Sequence, residues 1–220
     1  MNKNLLTYFF ISCFIISTSL SAQQIDAKNL LDEVSKTMTS YENLSIGFSS
    51  SLTNEDAGIL EGDEPPIKGD IIISGEKYKL NYLRSTFLFN GKNLVIINHD
   101  EKEININEGD FESEDGFIYP SKLFSFYKEG YSYELGELKT IKGKKIQFVD
   151  LTPIDSESEI VKVQLGIELN TKHIYQLIQL GANSAKTTLT VTSFKSNEKL
   201  TPTAFNLNKQ EYLKKNYSID

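Results

Sequence analysis

Five apolar residues at every second position, Val161, Val163, Leu165, Ile167 and Leu169, restrict this chain more than any other stretch of it. Lys162, Gln164 and Glu168 stand between them. Side chains of an extended backbone point alternately to opposite faces, so the pattern demands a strand with one buried and one wet face. Tyr78, Leu80 and Tyr82 alternate with Lys77, Lys79 and Asn81 in the same way. Asn90-Gly91 between Phe89 and Leu94 is a hairpin signal, and Ser74-Gly75 ahead of Tyr78 is a second. Further β-branched and aromatic runs at 85–90, 93–98, 102–107, 131–138, 144–151, 174–180, 186–194 and 203–207 bring the expectation to roughly eleven antiparallel strands.

One stretch has another period. Ala27, Leu30, Leu31, Val34 and Met38 recur at three- and four-residue steps over 26–41, which makes one apolar helix face, with Asp26 placed to cap its start. Residues 54–66 are acidic and end in Pro65-Pro66, the composition of an exposed loop. Residues 108–116 form a second acidic loop. It leads into a short apolar segment, 120–127, whose Pro120 suits the first turn of a helix. No repeat, low-complexity tract or linker divides the chain, so 23–220 reads as one mainly-β domain of the α+β class.

Residues 1–22 read as a removable secretory signal peptide. Lys3 precedes an apolar run over 5–16, small residues follow to Ala22, and polar Gln23-Gln24 come next. The apolar run is shorter than the roughly twenty residues of a membrane anchor. Cys13, the only cysteine, lies in that segment, so the exported chain is expected to hold no disulfide, zinc–thiolate site or cysteine nucleophile. The net charge of −7 grows by one negative unit when Lys3 is lost. Such a chain is repelled by phosphate backbones and anionic membrane surfaces, which argues against a nucleic-acid partner.

Catalytic chemistry finds little support. His99 and His173 are the only histidines, and no G-x-S-x-G, H-E-x-x-H or phosphate-binding glycine loop occurs. The acidic loop 110–116 lacks the spacing of a calcium-binding loop. The chain has no tryptophan to offer a sugar platform. No enzymatic activity, metal or cofactor is expected.

Apolar supply is what remains. A sheet of that many strands curling into a barrel needs an interior filled by side chains or by a ligand. Leu30, Leu31, Val34 and Met38 on the helix, with Leu123, Phe124, Phe126 and Tyr127 in the later segment, are apolar enough to cover such an opening. Ile71, Ile73, Tyr78, Leu80, Tyr82, Phe87 and Phe89 would line it. Acyl chains suit that lining, since each buried methylene contributes about 0.8 kcal/mol. The same residues would serve equally well as a packed core, and both readings stay open.

The order of elements resembles the LolA-type outer-membrane lipoprotein carriers. After the signal peptide and helix come Gly69-Asp70-Ile71-Ile72-Ile73 and Lys77-Tyr78-Lys79-Leu80-Asn81-Tyr82. Phe89-Asn90-Gly91-Lys92-Asn93-Leu94 is similar to the family's DGK-x-L hairpin. Phe148-Val149-Asp150-Leu151-Thr152-Pro153 is similar to its L-x-P strand end, and 161–169 to the I-x-L-x-[ID] strand that follows. The resemblance spans 27–208. It implies an unclosed β-barrel with a helical lid, a monomer of the periplasm that needs no cofactor. Such a carrier takes acylated lipoproteins from an inner-membrane lipoprotein-releasing transporter and passes them toward the outer membrane. Leu80 and Tyr82 then stand where the family has aromatic residues at the cavity mouth. Two departures are plain: Ser74-Gly75-Glu76-Lys77 offers no arginine where the family latches its lid, and Val95 replaces a usual tryptophan. Rival readings are a carrier of another lipid-like ligand, an envelope interaction domain filled by its own core, and, least supported, a hydrolase.

Overall fold

The structure, a computed structural model, describes residues 26–110 and 120–220. The expected signal peptide with Cys13, and residues 111–116 of the second acidic loop, lie outside the described residues. Helix α1 covers 26–39. The strands are β1 Leu44–Thr53, β2 Ile67–Ser74, β3 Lys77–Tyr82, β4 Ser85–Phe89, β5 Asn93–Asn98 and β6 Glu103–Glu108. After the crossing segment come β7 Tyr131–Ile141, β8 Lys144–Pro153, β9 Ile160–Glu168, β10 His173–Gly181 and β11 Lys186–Ser196. A short helix α2, Lys209–Lys214, and a two-residue strand β12, Ser218–Ile219, close the chain.

All twelve strands form one sheet in the order β12-β6-β5-β4-β3-β2-β1-β11-β10-β9-β8-β7. Neighbours are consecutive hairpins except at two places. One is the long-range antiparallel pairing of β1 with β11, in which Ile46 faces Phe194 and Phe48 faces Val191 across a bulge. The other is β12, which joins β6 in parallel. β7 and β12 stand at opposite ends of the order, so the barrel does not close.

Local chemistry explains the turns. The Asn90 side chain accepts hydrogen bonds from the backbone N–H groups of Lys92 and Asn93, and Gly91 takes a left-handed φ of 90° that a side chain would strain. The helix is amphipathic as its spacing requires. Ala27, Leu30, Leu31, Val34 and Met38 are buried, and they pack in one core with Leu44, Ile46, Ile71, Ile73, Val149, Leu151, Val163, Leu165 and Ile167 of the sheet's inner face. The Lys172 ammonium, on the β9–β10 turn, meets Glu33 of the helix at 2.7 Å.

The structure corrects the sequence reading in three places. Residues 203–207 are not a strand: Ala204 N–H bonds to the Thr201 carbonyl and Asn206 N–H to that of Thr203, which folds the stretch behind Pro202 into consecutive turns. α2 and β12 were not expected, and β12 breaks the all-antiparallel rule. Residues 120–127 make two 3-10 turns, Pro120–Lys122 and Phe126–Lys128, instead of one helix. The C-terminal segment has a physical cause. Leu88, Val95, Ile97 and Ile104 form a second buried cluster, covered by Leu207, Tyr212, Tyr217 and Ile219. β4 and β5 are therefore apolar on both faces and need a cover on each. His99 fastens that cover, with one ring nitrogen 3.0 Å from the Tyr217 hydroxyl and the other 2.9 Å from Thr86.

His173 is built into an aromatic cluster. Its ring stacks on Phe194 with centroids 3.9 Å apart, and its Nε2 lies 3.0 Å from the Tyr41 hydroxyl. Burial lowers its pKa below the ordinary 6.5, outweighing the pull of Glu168, while Lys144 pushes the same way as burial. A depressed histidine favours the fold in its neutral form, so its contribution is complete above the unfolded value and is lost as pH falls through the folded one. Thermal melts should show Tm falling as pH drops from about 7.5 to about 5.5, and His173→Phe, which keeps the stack, should flatten that fall.

Candidate ligand cavity

The inner face of the sheet is not fully filled by its own side chains. An apolar cavity of about 190 Å³ lies between strands from both halves of the chain and the crossing segment. β1 and β2 contribute Ile46, Phe48 and Ile71, and β3 contributes Leu80 and Tyr82. β10 contributes Ile174, Leu177 and Gln179, and β11 contributes Thr187, Leu189 and Val191. Met38 of α1 closes one side. Pro120, Leu123 and Phe124 of the crossing segment form the cover.

The pairing of β1 with β11 creates this space, since it sets Leu177 and Leu189, which face each other across β10 and β11, beside Ile46 and Phe48. At the rim, the Phe48 ring lies over Gly69. A Cβ on Gly69 would fall within 2.4 Å of Phe48 Cζ, so the glycine is what lets the ring lie flat against the sheet. Tyr82 stacks obliquely on Phe48 at 5.5 Å and donates its hydroxyl proton to Ser50 Oγ at 2.9 Å.

Two tyrosine–carboxylate bonds stand on either side of the cover in the chain, at Asp110 and at Tyr127. Tyr78, fully buried on β3, donates to Asp110 Oδ1 at 2.6 Å where the crossing segment begins. Burial first, and the Asp110 carboxylate second, push its phenol well above the ordinary range. Tyr127, just before β7, donates to Asp32 Oδ1 of α1 at 2.8 Å, and its phenol is pushed up to about 12, chiefly by burial. Asp32 is held below its ordinary 3.8, first by the hydrogen bond from Lys28.

Gln179 and Thr187 interrupt the apolar lining, and Gln179 is the buried one of the two. It is 9 % exposed, and its Nε2 donates to no partner among the described residues. A buried donor left in that state costs about 1–3 kcal/mol.

Of the fifteen residues singled out from the sequence, Met38, Ile71, Leu80, Tyr82, Leu123 and Phe124 line the cavity. Leu30, Leu31, Val34, Ile73, Tyr78, Phe89 and Tyr127 are buried in the core, and Phe87 and Phe126 pack half-buried against it. Sequence reasoning missed the lining from β1, β10 and β11. Their alternation was visible, but nothing local says that β1 pairs with β11. Elsewhere, a cleft of about 640 Å³ on the outer face is lined by Lys139, Phe148, Asp150 and Lys162, whose charges are paired with one another or stacked on the ring. No group of three or more histidine, aspartate or glutamate side chains among the described residues is placed to hold a metal ion. No described helix is long and apolar enough to cross a membrane.

No family model and no curated protein matches this chain. Solved structures do. An uncharacterized conserved protein from Thermus thermophilus superimposes with a TM-score of 0.56 at 10% identity, covering 83% of this chain and 93% of that one. A LolA superfamily protein from Nitrosomonas europaea gives 0.43 at 10% identity over 83% and 98% of the two chains. A putative outer membrane lipoprotein-sorting protein domain from Vibrio parahaemolyticus gives 0.45 at 12% over 84% and 97%. The likeness is one of fold. The Thermus protein shares the architecture over 83% of this chain.

Tyr127→Phe removes the tie to α1 and keeps the ring. It should lower stability by about 1.5–3 kcal/mol and speed amide hydrogen exchange in 120–130, with the inner strands unaffected. Asp32→Ala, which leaves the Tyr127 hydroxyl without its acceptor, should reproduce the faster exchange. In the unaltered protein the tie should weaken only as pH falls below about 4, because a carboxylate with a lowered pKa loses its contribution as it is protonated.

Proposed function

We propose that this chain is an exported carrier that shelters the acyl chains of lipidated proteins in its inner cavity and releases them toward the outer membrane. The observation that carries the reading is the apolar cavity between the inner face of the sheet and the crossing segment. A packed interaction domain has no need of such a space, because unfilled apolar volume destabilises a core. The order of motifs over 27–208 supports the same reading.

The cavity is smaller than the ~300–1,000 Å³ typical of ligand pockets. The present arrangement is therefore the covered one, and several acyl chains enter only when Leu123 and Phe124 swing off the sheet. The two tyrosine–carboxylate bonds, at about 1.5–3 kcal/mol each, are small enough to be broken one at a time. Leu52, Ile67, Leu83, Ile154 and Val161 are exposed at the end of the sheet where β1, β3 and β8 finish and β2, β4 and β9 begin. That apolar rim suits passing a chain to or from another protein without full exposure to water. An inner-membrane transporter that releases lipoproteins is the partner proposed for loading.

Leu80→Glu places a carboxylate against bound methylenes at a half-buried position. The variant should fold, and its affinity for a fluorescent long-chain fatty acid should fall by more than tenfold relative to the unaltered chain. Equal affinity would remove the cavity from the binding reaction.

A further inference from the structure

Gln179 carries a buried amide donor that no described protein group satisfies, and its position suggests what would. It lies on β10 with Val163 and Thr187 as its cross-strand neighbours. Its side chain is nine-tenths buried, and Nε2 is the one buried side-chain nitrogen or oxygen without a partner among the described residues. A core glutamine would ordinarily be bonded or replaced by a hydrocarbon side chain.

Two spaces meet at this residue. On one side is the apolar cavity of about 190 Å³. On the other is a cleft of about 390 Å³ whose wall is Glu159 and Ile160 at the start of β9, with Gly181, Ala182, Asn183 and Ala185 of the β10–β11 hairpin. Gln179 and Thr187 line both. The first space offers hydrocarbon and the second offers backbone, amide and carboxylate groups. A ligand that fits both is an amphiphile whose polar joint falls at Gln179.

We infer that Gln179 is the anchor for an ester-linked acyl chain: its Nε2–H donates to the ligand's ester carbonyl, the hydrocarbon runs into the inner cavity, and the polar remainder leaves through the cleft beside the β10–β11 hairpin. Thr187 places a hydroxyl at the same joint. This rests on the carrier reading and deepens it, since it fixes which end of the ligand faces out and which bond is recognised. Free hydrocarbon leaves the donor unpaired, whereas an ester satisfies it, so the site selects acylated molecules over chains of equal length that lack a carbonyl.

The test uses the delipidated full chain, Gln179→Met, Thr187→Val and methyl palmitate labelled with ¹³C at the carbonyl. Gln179→Met keeps the length of the side chain and removes the donor. The empty variant should melt about 2–4 °C higher, because the unpaired group is gone, and should bind the ester about tenfold more weakly. The carbonyl stretch of the bound ester should lie at lower wavenumber in the unaltered protein than in the variant. Thr187→Val, nearly isosteric, should give a smaller loss in the same direction. Equal affinities and equal stretching frequencies in all three proteins would overturn the anchor while leaving the carrier reading intact. Failure of the unaltered chain to bind either methyl palmitate or a fluorescent fatty acid would overturn both. A tenfold loss for a triacylated lipopeptide but not for a diacyl phospholipid, or the reverse, supports the anchor and names the source of the chain. No loss for either overturns it.

Discussion

The sheet does not close, and the rest of the molecule answers to that fact. β7 and β12 end the strand order without pairing, so the apolar inner face cannot be sealed by backbone hydrogen bonds alone. It must be covered by something laid across it. α1 covers one part with Ala27, Leu30, Leu31, Val34 and Met38, and the crossing segment covers another with Pro120, Leu123 and Phe124. A helix face packs densely against a sheet, whereas two short 3-10 turns do not fill the remaining width. The cavity is what is left between the two covers.

The covers are attached differently. α1 is held by a continuous apolar stripe, which is strong and has no single weak point. Residues 120–127 pack on the core through Leu123, Phe124, Phe126 and Tyr127, and hydroxyl–carboxylate bonds stand on either side, Tyr78 to Asp110 and Tyr127 to Asp32. The orphaned Gln179 amide belongs to the same arrangement, a donor left waiting in the covered state.

The sheet was legible in the sequence because its signals are local. Alternation at 161–169 marks β9, and Asn90-Gly91 marks the β4–β5 hairpin, each decided by a few neighbouring residues. The C-terminal segment was harder. Phe87-Leu88-Phe89 and Leu94-Val95-Ile96-Ile97 declare strands that are buried twice, but they do not say what covers the outer face. Thr203 to Leu207 has strand-like composition, and Pro202 turned it aside. The cavity was only half legible. Its aromatic and aliphatic lining from β2 and β3 stood out as dense apolar runs, whereas the lining from β1, β10 and β11 depends on pairing between residues near opposite ends of the chain, such as Ile46 with Phe194. A contact of that range leaves no local trace. Gln179 was invisible for a related reason, because a glutamine in an alternating strand looks like any solvent-facing residue until its face is known.

If the inner cavity holds an acyl chain in the cell, the ligand should travel with the protein. Native mass spectrometry of the exported chain, purified from a bacterial periplasm without detergent, addresses this directly. A second population is expected, heavier than the bare chain by the mass of one acylated lipid or lipopeptide, which collisional activation releases as an intact, identifiable molecule. A single population at the mass of the bare chain, unchanged after incubation with acylated lipopeptide, would contradict the carrier reading.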